Sequence, residues 1–362
     1  MGKSKIEDGG LGMACYVRVK NKKAKVKSEK FQRARTQRFL LALGLSLWIS
    51  FVALSGAIAQ EKFRFPIGES SKTLSYGPLW VASKMGFFEK ENLDVPIVTM
   101  RGSPLTIQAL SADSIYVANA TVDTLISAHE RGADIAMIGG LINGLGLSMI
   151  GGKGYKTYAD LRGTTIGTQT LTSGTGFALR LVLKVHGMEY PRDYKLLNIG
   201  GAPDRYQALT SGQISSTPVG VPLDLVAKQQ GFNVIGYFVD DQPNFQFNVY
   251  IVKKSWAEKN RPLVVRFMKA MVSTMRWMMD NREAACAYLS KEMVISVEHC
   301  RYASDYNWKS RIWDRNADLN IEGVRTLIKI TAEQGVLKEP LPQPAKYIDQ
   351  SYLKQALAEI KK

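Results

Sequence analysis

Apolar and polar positions along this chain switch between two periods. Phe63, Phe65 and Ile67 alternate with Lys62, Arg64 and Pro66, the two-residue period of a strand with one buried face. Ser75-Tyr76-Gly77-Pro78 interrupts it, and residues 79–88 follow as a helix closed around Gly86. The alternation continues with a strand at 95–100, a helix at 104–110 opening on Pro104, a strand at 114–118, a helix at 121–131 ahead of Gly132, and a strand at 135–138. A second series repeats that order: strand 164–167, helix 175–186, strand 196–199, helix 203–209, helix 223–230 and strand 234–238. Residues 245–252 read as extended again, and beyond them the pattern is helical. There Val264, Phe267, Met268, Met271, Val272, Met275, Met278 and Met279 form an apolar stripe at helical spacing. Core packing is the preferred reading of that stripe, over a methionine-rich binding surface.

The two series share matching residues at a constant offset of 99. Ile67-Gly68 returns as Ile166-Gly167, Gly77 as Gly176, Gly102 as Gly201, Pro104 as Pro203, Gln108-Ala109-Leu110 as Gln207-Ala208-Leu209, and Gly132 as Gly231. A unit of this length copied once predicts two similar α/β lobes facing each other; chance similarity of short helices and strands is the alternative. Alternating strands and helices predict mostly parallel sheets. Segments near 143–147 and 246–250 are the expected crossovers, giving a first lobe of residues 60–145, a second lobe of 146–247, and a return to lobe one over 248–362.

Charge enters mainly to be relocated. The chain has 362 residues and a formal net charge of +16, which on its face suggests nucleic acid or an anionic membrane. Residues 1–38 hold twelve Lys/Arg against three acids, and residues 39–59 carry no charge and end Ala57-Ile58-Ala59. That is the pattern of a secretory signal over residues 1–59, cleaved between Ala59 and Gln60, with Met13 as an alternative start. The apolar run is long enough to serve instead as an uncleaved anchor. Without it 36 basic and 29 acidic residues remain, spread along the chain, so no nucleic-acid partner is expected. The predicted location is the periplasm.

Candidate chemistry is sparse. The three histidines, His129, His186 and His299, are scattered, and neither a catalytic elbow nor a metal pair is present, so no enzyme activity, cofactor or metal is expected. Gly151-Gly152-Lys153-Gly154 lacks the outer glycine and the Ser/Thr of a phosphate loop. Cys286 and Cys300 could form a disulfide or stay as two buried thiols. Helix starts are more informative. Thr172, Ser173, Gly174 and Thr175 lie between a predicted strand and helix, where free N–H groups favour an anion, and Ser75 and Tyr76 are their counterparts in the first copy. Asn119, Ala120 and Thr121 pair with Pro218 and Gly220, and Gly102 and Ser103 pair with Gly201 and Ala202. Each could equally be a structural cap.

Tyr76-Gly77-Pro78-Leu79 followed by residues 86–95 (GFFEKENLDV), and Ala159-Asp160-Leu161-Arg162-Gly163-Thr164-Thr165-Ile166-Gly167, resemble the solute-binding proteins of ABC importers of the nitrate/sulfonate/taurine type. The resemblance implies a type II periplasmic-binding fold, a monomer that closes on a small-molecule ligand, and docking on an ABC permease and its ATPase in the inner membrane. It places the ligand loops on Ser75 and Tyr76, Gly102 and Ser103, 119–121, 172–175 and 218–220, and none of these carries Arg or Lys. A small polar or anionic organic solute held by N–H and hydroxyl donors is therefore expected. An enzyme of the thiamin-pyrimidine-precursor type is an alternative on the same fold, although its Cys-rich motif is absent. A membrane-tethered sensor lobe is the other.

Overall fold

The computed structural model describes residues 62–360; the expected signal segment, its cleavage point and Cys15 lie outside them. Two five-stranded sheets organise the chain. The first runs β4(Ile97–Thr99)-β2(Ile67–Glu69)-β5(Val117–Thr121)-β12(Asn248–Lys253)-β6(Ile135–Ile142), and the second β9(Lys195–Asn198)-β8(Thr165–Thr168)-β10(Ser216–Gly220)-β7(Leu147–Gly151)-β11(Asn233–Tyr237). Written in this direction, β4, β2, β5 and β6 have β9, β8, β10 and β11 at the equivalent places about 99 residues on, and β12 stands where β7 does.

Each sheet is mixed in the same way. β2 pairs in parallel with β4 and β5, and β8 with β9 and β10, while β12 is antiparallel to β5 and β6 and β7 antiparallel to β10 and β11. One reversed strand thus enters each otherwise parallel sheet beside a predicted crossover. Strand β7 is absent from the sequence-based expectations: four of its five residues are buried, so no polar alternation marks it.

Boundaries move where glycines and turns intervene. The expected helix at 79–88 is two, Gly77–Lys84 and Phe87–Lys90, because Gly86 between them adopts φ +73. The strand expected at 114–118 begins at Val117, since Asp113 at φ 57 prolongs the preceding turn. Phe63–Arg64 forms β1, which pairs only with β3(Leu93–Asp94).

The helix Arg261–Asp280 buries the predicted stripe except Met279. Phe267 stacks on Phe65 at 5.6 Å and on Phe88 at 5.8 Å, tying this helix to the first lobe. Helices Arg282–Glu292 and Val297–Lys309 pack on each other, and the second also touches the short turn Leu74–Tyr76. Cys286 and Cys300 sit between them as free buried thiols, with Cys286 Sγ 3.4 Å from Ser304 Oγ. Among the described residues no helix is long and apolar enough to cross a membrane.

Candidate functional site

The parallel strands of both sheets end at one cleft. Beyond β2 come Ser70 and Ser71, beyond β5 the helix Val122–Glu130, beyond β8 Gln169 and the helix Gly174–Val185, and β10 ends at Gly220. A cavity of about 50 Å³ lies between them, lined by Ser70, Ser75, Tyr76, Ser103, Thr121, Gln169, Gly174, Thr175, Ala202, Arg205 and Gly220 among others. It leads into a groove of about 690 Å³ that shares Ser71, Gln169 and Ala202 with it. The groove adds Met100, Ile199, Pro203, Met293 and Val294, with Lys72 and Arg101 among the polar positions.

The first lobe's wall is a hydroxyl and amide network. Ser103 Oγ accepts from the Thr121 backbone N–H at 3.0 Å and from its hydroxyl at 3.1 Å. Ser70 Oγ meets Tyr76 Oη at 2.8 Å and accepts from Asn248 Nδ2 at 3.3 Å. Burial drives the Tyr76 hydroxyl well above its ordinary value, so it stays protonated as a donor. Across the cleft Ser173 caps its helix by accepting from Gly176 N at 3.2 Å. Gln169 Nε2 donates to Ser70 O at 3.3 Å, bringing the lobes into contact. A side chain at Gly174 would run into Thr121, so glycine is what lets the second lobe approach this closely.

Of the residues singled out from sequence, Ser75, Tyr76, Ser103, Thr121, Gly174, Thr175 and Gly220 line the cavity. Gly102, at φ +98, lies against Ser173 from the opposite lobe. Asn119 and Ala120 are buried within β5 behind the wall, and Asn119 donates to Val249 O at 3.3 Å. Pro218 contributes only its carbonyl, bonded to Arg205, and Thr172 faces solvent.

Arg205 is the residue that sequence reasoning missed. It sits one turn into the helix Ala202–Thr210, 3 % exposed, and lines the cavity. Its Nε donates to Thr217 Oγ1 at 3.2 Å, Nη1 to Gly200 O at 2.5 Å and Nη2 to Pro218 O at 3.1 Å. All three acceptors are neutral, and no ion pair to Arg205 occurs among the described residues. Burial lowers its guanidinium to about 10, with exposed Asp204 nearby pulling the other way. It therefore remains charged at neutral pH. Two of its five N–H groups have no acceptor among the described residues. A buried cation whose hydrogen-bond acceptors are all neutral, at the edge of a cavity, attracts an anion.

A family described as NMT1/THI5 like matches residues 74–285, most of both sheets and of the cavity wall. The chain belongs to the NMT1/THI5-like family. "Putative binding protein YtlA" of Bacillus subtilis (strain 168) is 22 % identical over 244 residues, spanning 66 % of this chain and 73 % of that one. The periplasmic nitrate-binding protein NrtA from Synechocystis PCC 6803 superposes with a TM-score of 0.69 at 17 % identity, over 83 % of this chain and 90 % of that one. The alkanesulfonate-binding protein SsuA from Xanthomonas axonopodis pv. citri, bound to MOPS, gives 0.65 at 17 % identity over 80 % and 99 %. This NMT1/THI5-like chain thus has the two-lobed periplasmic-binding-protein fold, with the reversed strands β7 and β12 carrying its two crossovers.

Proposed function

We propose that this protein is a periplasmic solute-binding protein that closes two lobes on a small anionic organic solute and delivers it to an ABC importer. Arg205 carries the reading: a buried guanidinium with neutral partners lies where the strand ends of both sheets converge. Ser103, Thr121, Thr175 and the N-terminus of the helix Gly174–Val185 supply further donors. The compact inner cavity suits the charged head of the solute, and the larger groove with Met100, Ile199 and Met293 suits its organic remainder. The names of YtlA, NrtA and SsuA support binding rather than turnover as the role. Export over residues 1–59, lobe boundaries near 145 and 247, and a monomeric state complete the proposal on the strength of the sequence alone.

A thermal-shift screen of nitrate, taurine, methanesulfonate, acetate and benzoate, with methanesulfonamide, acetamide and benzamide as the neutral counterparts of the last three, tests it. Stabilisation confined to the anions is expected, because a ligand bound only by the native state raises its melting temperature by mass action. Stabilisation by the amides and not the anions would contradict it.

A further inference from the structure

A second polar device joins the lobes at a distance from the cavity. Asp224, second residue of the helix Leu223–Gln229 in lobe two, is 1 % exposed. Its Oδ2 accepts from Tyr302 Oη at 2.7 Å, and Tyr302 sits on the helix Val297–Lys309, which packs on Arg282–Glu292 and on Leu74–Tyr76 of lobe one. Asp224 Oδ1 has no hydrogen-bond partner among the described residues. On either side the same helix meets lobe two again: Tyr306 lies 6.4 Å from Tyr237 in β11, and His299 Nε2 lies 3.3 Å from Gln229 Oε1.

Beyond the bonds of Gln246 at the crossover to Asn143 and Asn320, the other polar contacts between the lobes are weaker. Lys184 and Glu333 approach to 3.6 Å with side chains 60 % and 64 % exposed, and such surface pairs contribute little. The His299 contact is exposed, and Gln169 to Ser70 is a neutral bond at 3.3 Å. Away from the crossover residues, Asp224 and Tyr302 form the shortest side-chain hydrogen bond between the lobes among the described residues, and the one that involves a buried carboxyl. Opening the lobes would return Asp224 to water, so closure removes its solvation and the Tyr302 hydroxyl replaces part of it.

We infer that the helix Val297–Lys309 is a latch whose Tyr302–Asp224 bond makes the closed arrangement accessible before any solute binds. Tyr302 and Asp224 are positioning residues, since neither lines the cavity. The inference rests on lobe closure as proposed above. It is read on ligand-free protein, so failure to find a ligand and failure of the latch are separate results.

The test compares wild type, Tyr302→Phe and Tyr302→Phe/Asp224→Leu without ligand, by small-angle scattering and by hydrogen exchange of the Leu223–Gln229 amides. Tyr302→Phe strands a buried carboxyl and is expected to lower the closed-to-open ratio about tenfold or more, with a larger radius of gyration and faster exchange in that helix. The double variant removes both polar partners and is expected to return both readings toward wild type. Wild-type scattering and exchange in Tyr302→Phe would overturn the latch, as would a double variant that stays as open as the single one.

Discussion

Glu69→Gln offers a quantitative probe of the first lobe's wall. Glu69 ends β2, is fully buried, and accepts from Thr99 Oγ1 at 2.6 Å and Trp80 Nε1 at 3.1 Å. Lys72, whose ammonium lies 4.0 Å from the Trp80 ring centroid, is paired with Glu292 at 2.6 Å and so gives Glu69 only part of a counter-charge. Burial is the dominant influence and lifts the carboxyl from its ordinary 4.5 to about 7, against the opposing pull of Thr99, Trp80 and Lys72. The native state therefore keeps a proton that the unfolded chain gives up. The resulting stability is fully present below pH 4.5 and is lost as pH rises through 7. At about 1.36 kcal/mol per pKa unit the loss amounts to roughly 3 kcal/mol. Glutamine keeps the shape, accepts from Trp80 and donates to Thr99, without the charge. Its stability relative to wild type should rise by about 3 kcal/mol between pH 4 and pH 8. Urea unfolding of both proteins across that range measures it. Parallel pH profiles would refute the reasoning, because they would mean that burial does not hold the native carboxyl neutral.

Gly174→Ala should wedge the cleft, since the added methyl meets a Thr121 side chain pinned by Ser103 and Thr124; scattering should show a larger radius of gyration in methanesulfonate or nitrate than wild type has. Phe267→Ala removes the ring stacked between Phe65 and Phe88 and should lower unfolding free energy by about 3–5 kcal/mol in denaturant titration. Ser173→Ala deletes the cap on the Gly174–Val185 helix and should destabilise by about 1 kcal/mol, read as a small drop in melting temperature.

The two-lobe plan was legible because both copies keep the same punctuation. Gly102 and Gly201 precede helices that each begin near a proline, and Pro104 and Pro203 stand at equivalent first-turn positions. Helix starts were legible too, and Ser75, Ser103, Thr121, Gly174 and Thr175 among them line the cavity, since capping hydroxyls and bare N–H groups are local features. What escaped was decided by distant partners. Arg205 looks like the polar side of an amphipathic helix until the Thr217 hydroxyl and the Pro218 carbonyl, on a strand that follows, turn it inward. Asp224 resembles an ordinary acid in a helix's first turn, and its partner Tyr302 lies 78 residues further on. β7 was hidden for the opposite reason: burial on both faces removes the alternation that reveals a strand.

The central claim is that Arg205 holds the solute's negative charge. Calorimetric titration of wild type, Arg205→Lys and Arg205→Gln with whichever of nitrate, methanesulfonate, taurine, acetate or benzoate stabilises the wild type tests it most directly. Loss of a buried charge-assisted contact predicts an affinity lower by about 10- to 100-fold in Arg205→Gln, with partial retention in Arg205→Lys. Equal affinity in wild type and Arg205→Gln, with both proteins folded, would contradict it.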